Sequence, residues 1–283
     1  MTNNAKGLAL TSLGVFIMSL ESLLIKLTTI SPFLFSFYIG IFMFISMLTT
    51  FVFNKKEYIK TALSKSFFML IICATLMAIS NIFFITAVKT TTVANVVIIF
   101  STSALFSALF AYLFYREKIS KNIVIASFFI FFGLFIIFND KLEIGSLLGN
   151  IYALLCTAIF SISFVLLSHY KEMDRVILTA FSGLALSILA FFFCDELLID
   201  FKTLLILMLM GLLISPLSRV ILGNGAIYIS ASEVSLLMII ETIMAPIWVW
   251  IFLDEVPSFY TFIGGSIIIA TLIANSLYSL KKS

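Results

Sequence analysis

Ten stretches of roughly twenty mainly apolar residues follow one another along this chain, and no other feature constrains its fold as much. They run over 7–26, 33–53, 66–88, 92–114, 121–138, 146–168, 176–193, 203–227, 232–253 and 258–279. Each is long enough to cross the hydrocarbon core of a bilayer as a helix. The runs are unbroken successions of Phe, Leu and Ile, which excludes the short alternating strands of an outer-membrane barrel. The expectation is an all-α polytopic membrane protein of ten transmembrane helices, with the lipid bilayer as its solvent. Composition agrees, since 62% of the residues are hydrophobic and only 11% are charged, whereas a soluble domain keeps about a quarter charged.

The net charge of +3 comes from basic residues dispersed over short loops, a pattern that does not point to nucleic acid. Cys73, Cys156 and Cys194 are scattered, without metal-ligand spacing, and read as buried reduced thiols. No metal or cofactor motif is recognisable. The first apolar run follows one Lys and lacks a small-residue cleavage site, so it reads as an uncleaved first span rather than a signal peptide.

Lysine and arginine placement gives the orientation. With the N-terminus inside, one side receives Lys6, Lys55, Lys56, Lys60, Lys65, Arg116, Lys118, Lys121, Lys171, Arg175, Lys281 and Lys282. The other receives Lys26, Lys89, Lys141 and Lys202, together with Asp140, Glu143, Asp195, Glu196, Asp200, Asp254 and Glu255. The asymmetry predicts an even number of spans in the cytoplasmic membrane, with both termini cytoplasmic.

The chain also echoes itself. The segment "TTVANVVIIFSTSALFSALFAYLFYREKIS" (91–120) aligns with "ISASEVSLLMIIETIMAPIWVWIFLDEVPS" (229–258), 138 residues later. Both open on small hydroxyl residues, cross a span and end near an acid, Glu117 or Glu255. An odd number of spans, five, separates the copies, so the second must sit upside down relative to the first. The expected organisation is two inverted five-helix repeats, 1–143 and 144–283, forming one integrated membrane domain.

Ten short-looped spans in two halves resemble the drug/metabolite transporter superfamily, specifically its EamA-type permeases. The carrying segments are "AVKTTTVANVVIIFSTSALFSALFAYLFYREKIS" and "GNGAIYISASEVSLLMIIETIMAPIWVWIFLDEVPS". The resemblance implies a permease with a central cavity between the halves, lined by spans one, three, four, six, eight and nine. Spans two, five, seven and ten would be peripheral. In the tenth, Ser266, Ala270 and Ala274 recur at intervals of four, a stripe suited to close helix packing.

Ionisable groups deep in spans are costly and are functional candidates by default. Here they are Glu21, Arg219 and Glu241, with Glu233 nearer a helix end. Glu241 shares a helical face with Trp248, a combination suited to a cationic or amphipathic solute; the competing reading places Trp248 in the interfacial belt. Glu21 is either a proton-coupling carboxylate or the salt-bridge partner of Arg219. Pro216 and Pro246 are expected to kink their helices and free backbone carbonyls. The repeat partners of Arg219 and Glu241 are Asn81 and Ser103, a milder polar wall. Lys26 reads as a boundary residue that snorkels to water, and the lone His169 as an interfacial residue.

The expected function is a secondary transporter for a small metabolite or drug-like solute, zwitterionic or cationic, of amino acid or amine type. Transport would run in the export direction by alternating access, with a proton as candidate coupled ion and the protein a monomer or homodimer. No Gly-x-x-x-x-Gly-Lys segment is present to use ATP directly. An intramembrane enzyme would need paired acids or a His cluster at depth, and the chain has one His. A channel or structural membrane partner is the remaining alternative, although channels commonly need a ring of subunits.

Overall fold

In hydrocarbon every backbone N–H and C=O has to find its partner inside its own segment, so apolar runs of this length fold as helices. The computed structural model describes residues 3–54, 67–116, 121–138, 147–170, 173–194, 196–226, 228–229, 234 and 237–282. The helices are α1 (Asn3–Met18), α2 (Leu20–Lys26), α3 (Pro32–Asn54), α4 (Phe67–Thr90), α5 (Val93–Ser101), α6 (Ser103–Tyr115) and α7 (Lys121–Phe138). There follow α8 (Leu147–His169), α9 (Arg175–Phe191), α10 (Phe201–Met208), α11 (Ser215–Ala226), α12 (Ile239–Leu253) and α13 (Phe259–Lys282). No strand occurs among the described residues.

Six continuous stretches are long and apolar enough to cross a membrane: Asn3–Lys26, Pro32–Thr50, Phe67–Thr90, Val93–Tyr115, Leu147–His169 and Phe201–Leu222. Shorter apolar helices occupy Ile123–Phe138, Arg175–Phe191, Ile239–Leu253 and Phe259–Asn275. Large apolar side chains face outward on these elements, Phe128 and Phe131 on α7 among them. Lipid is their solvent. The charge-bias residues Lys55, Lys56, Lys60, Lys65, Lys118, Asp140, Lys141, Glu143, Lys171 and Asp195 lie outside the described residues, as do Glu117 and Glu233.

Three of the crossing stretches are interrupted, each for a local chemical reason. Between α1 and α2 the buried Ser19 donates its hydroxyl to the carbonyl of Phe16 at 2.6 Å. Between α5 and α6 the buried Thr102 does the same to Ile99, also at 2.6 Å. A hydroxyl folded back on its own preceding turn loosens the helical ladder there. The third interruption is a π-helical turn, Leu209–Ile214, joining α10 to α11 ahead of Pro216. Pro216 has no N–H to give the carbonyl of Leu212, and Ser46 of α3 donates its hydroxyl to that carbonyl instead, at 2.8 Å. The expected helix break at Pro216 is therefore a π-turn with its freed acceptor satisfied from a neighbouring helix. Pro246, by contrast, sits inside the continuous helix α12.

Glycine sets the closest crossings. A Cβ on Gly40 of α3 would lie 2.6 Å from the carbonyl oxygen of Gly183 on α9, and one on Gly183 would lie 2.8 Å from that of Gly40. Gly133 of α7 and Gly264 of α13 meet in the same reciprocal way, at 2.8 and 2.6 Å. Helix α1 packs on α11 through Gly7 and Gly225, and α8 packs on α4 with Gly149 against Thr90 and Thr91. Without apolar solvent-driven association inside a membrane, such backbone-to-backbone approach supplies the packing attraction.

The stripe expected on the last helix is corrected. Ser266, Ala270 and Ala274 are exposed, and the packing face is formed by Thr261, Gly264, Gly265, Ile268 and Leu272. Glycine at 264 and 265 permits an approach that Ser or Ala would block, so the paired glycines, rather than the four-residue interval, fix the face.

Candidate functional site

The polar interior is assembled from helices distant in sequence. Arg219 on α11 donates from Nη1 to Oε1 of Glu21 on α2 at 3.0 Å, and to the carbonyl of Ser215 at 3.2 Å. Glu21 is 7% exposed, so the pair stands largely apart from water and each charge depends on the other. Of the two readings open for Glu21, the salt bridge to Arg219 is what the geometry contains.

A small cavity opens beside this pair. Its polar lining is Glu21, Asn81, Ser215 and Arg219, and its apolar walls include Ile25, Ile39, Met43, Phe84 and Leu186. The Ser215 hydroxyl is buried and makes no hydrogen bond in the structure, which leaves one donor without a protein acceptor beside the cavity. Ile39 and Met43 belong to α3 and Leu186 to α9, the helices of spans two and seven, which were expected at the periphery. The close crossing at Gly40 and Gly183 draws these two helices together, and the adjacent large side chains form the cavity wall.

Glu241 is 6% exposed and lies on α12, outside the cavity lining. Glu21 and Arg219 both act on it electrostatically, and it acts in turn on Cys156 of α8. Cys156 packs against Ser80 of α4, whose hydroxyl donates to the Cys156 carbonyl at 3.1 Å. Helix α12 packs on α5 and on α2, the helix that carries Glu21.

Trp248 is half-buried and packs on the first span. Its Nε1–H donates to Oγ of Ser19 at 3.0 Å, and its ring meets Phe16 edge-on with centroids 5.7 Å apart. The indole thus rests on the interruption between α1 and α2. Asn81 lines the cavity as its symmetry-related position suggested, whereas Ser103 does not: its carbonyl accepts from Ser161 of α8 at 3.0 Å, at the α6–α8 packing face. Of the sequence candidates, the structure brings Glu21, Arg219 and Asn81 to one cavity, sets Glu241 within their electrostatic reach, and places Trp248 on the same stretch of span one.

Three participants went unrecognised in the sequence. Ser215 precedes Pro216 and was hidden by it. Lys26, read as a boundary residue, makes an ion pair with Glu255 at 2.8 Å. Glu255 itself had served only as a repeat marker. A Lys at the end of one span and an acid at the end of another, both assigned to the same membrane side, was the available signal.

A solved crystal structure 14% identical to this chain superposes with a TM-score of 0.68, covering 99% of both chains, a likeness that concerns the fold alone. No curated protein matches. Residues 5–139 match the profile of the EamA-like transporter family, from α1 through α7. This match, which covers the first of the two echoing segments, identifies residues 5–139 with the EamA-like transporter family of the drug/metabolite transporter superfamily.

Proposed function

We propose that this membrane transporter is a secondary carrier of small zwitterionic or cationic solutes, of amino acid or amine type, exporting them by alternating access. The observation that carries the reading is the constellation of Glu21, Arg219 and Glu241. Arg219 offsets one carboxylate and leaves the other for a cationic solute group or a coupled proton. The unpartnered Ser215 hydroxyl and the Asn81 amide add hydrogen-bonding capacity beside the cavity.

The frame for alternating access is ten spans in two inverted halves, 1–143 and 144–283, with both termini cytoplasmic. The reciprocal crossings Gly40–Gly183 and Gly133–Gly264 support it, because contacts in which each partner meets the other's equivalent atom are the signature of a local two-fold. The pairing of α1 with α11 and of α4 with α8 also supports it, since those helices exchange under such an operation.

Uptake into proteoliposomes tests the function. A panel of amines, amino acids and organic anions would be presented with and without an imposed proton gradient. Saturable movement of amines or zwitterions, chemically unaltered, is the expected result. A preference for anions, or conversion of the solute, would reject the reading.

A further inference from the structure

At the end of the molecule nearest Lys26, three helix ends converge on one carboxylate. Glu255 follows α12; its Oε2 pairs with Lys26 Nζ at 2.8 Å, and its Oε1 accepts from the backbone N–H of Val93, the first residue of α5, at 2.6 Å. An anion at a helix N-terminus satisfies an N–H that has no intrahelical acceptor. Lys26 Nζ is itself bound to the carbonyl of Thr91 at 2.9 Å. A second lysine repeats the device nearby, with Lys89 Nζ donating to the carbonyl of Thr28 at 2.8 Å and to its hydroxyl at 3.1 Å.

These contacts lie directly beside the cavity. Lys26 follows Ile25, which lines the cavity, and lies five residues beyond Glu21, about 7.5 Å of helix. Ile25, Val88 and Val93 are fully buried at this level. The Lys26 and Glu255 side chains keep 18% and 15% of their surface accessible, so the pair is largely shielded from solvent.

We propose that Glu255 is the latch of a gate at the outer end of the cavity, closed here, and that opening toward the outside requires Glu255 to leave both Lys26 and the Val93 N–H. The proposal rests on the carrier reading above and on the orientation with cytoplasmic termini. It adds the elements that must part: the end of α2, the start of α5 and the end of α12. The carboxylate is suited to this role because a displacement of the end of α12 breaks both of its charge-assisted bonds, to two separate helices, at once.

Access to the cavity, rather than transport, tests the latch, so an undiscovered substrate does not obscure the answer. Ser215→Cys provides a reporter thiol in the cavity, and the parent with its three native cysteines provides the blank. Intact cells are treated with a membrane-impermeant maleimide. Glu255→Ala and Lys26→Met should each raise the rate of labelling from outside several-fold, and lower labelling from the cytoplasmic side in inverted vesicles. Should Glu255→Ala not yield monodisperse protein, Glu255→Gln replaces it, keeping an acceptor for Val93 while removing the charge, with a smaller rise expected. Folded variants labelled from outside at the parent rate would overturn the gate, whatever the outcome of the uptake assays.

Discussion

Arg219 and Glu21 are separated by 198 residues and joined by a 3.0 Å bond between α11 and α2. Glu21→Gln should therefore strand a largely buried guanidinium. Because Arg219 keeps 22% of its side chain accessible, the cost is expected at about 3 kcal/mol, the lower end for a broken buried pair. Thermal unfolding in detergent would read it. The double variant Glu21→Gln/Arg219→Gln should be more stable than Glu21→Gln alone, and strict additivity of the two single variants in the double would mean that the pair carries no coupling.

Glu241 lacks such a partner among the described residues, and its replacement should behave differently. Glu241→Gln keeps shape and hydrogen-bonding capacity and removes only the possible charge. The variant should unfold close to the parent temperature while losing transport or its pH dependence. Unaltered transport with an unaltered pH profile in this variant would reduce Glu241 to a packing feature.

Trp248→Phe removes the Nε1–H donated to Ser19 and retains the edge-on contact with Phe16. The loss should be about 1 kcal/mol, that of one neutral hydrogen bond. Ser19→Ala should cost no less, since it also removes the bond to the Phe16 carbonyl. Strict additivity of the two in a double variant would show that the indole and the hydroxyl do not interact.

Gly40→Ala places a methyl 2.6 Å from the Gly183 carbonyl oxygen and 2.6 Å from the Ser187 backbone nitrogen. Neither is the end of a flexible side chain, so α3 and α9 must move apart. A loss of about 1–3 kcal/mol follows for such overpacking. Gly183→Ala should match it, because its own Cβ meets the Gly40 carbonyl oxygen at 2.8 Å. A thermal shift for one variant and none for the other would contradict the reciprocity of the crossing.

Much of this architecture was legible in the residues themselves. Apolar runs map onto helices because hydrocarbon leaves the backbone no other way to satisfy its polar groups. Boundaries such as 121–138 for α7 and 147–169 for α8 fall within a residue or so of the sequence expectation. Glu21 and Arg219 stood out because charge is rare at that depth, yet their pairing was not decidable from sequence, since Glu241 offered an equal electrostatic match. Glycine crossings were less legible: spacing marked Ser266, Ala270 and Ala274, whereas Gly264 gained its role from Gly133, 131 residues away. Ser215 and Lys26 were missed because a hydroxyl or a boundary lysine acquires meaning only from what faces it.

The π-turn at Leu209–Ile214 also fixes the azimuth of everything after it. One residue more than an α-helical turn requires is accommodated there, which sets the following residues back by about 100° around the helix axis relative to an uninterrupted α-helix. Arg219 faces Glu21 under that setting. Straightening the turn into a regular α-helix with every residue kept would swing the guanidinium by that angle away from its carboxylate, whereas deleting one residue of the turn would absorb the surplus and leave Arg219 facing Glu21. The wide turn thus acts as a rotational key for the whole of α11, and the largely buried ion pair depends on the geometry of that turn as much as on the identity of its two residues.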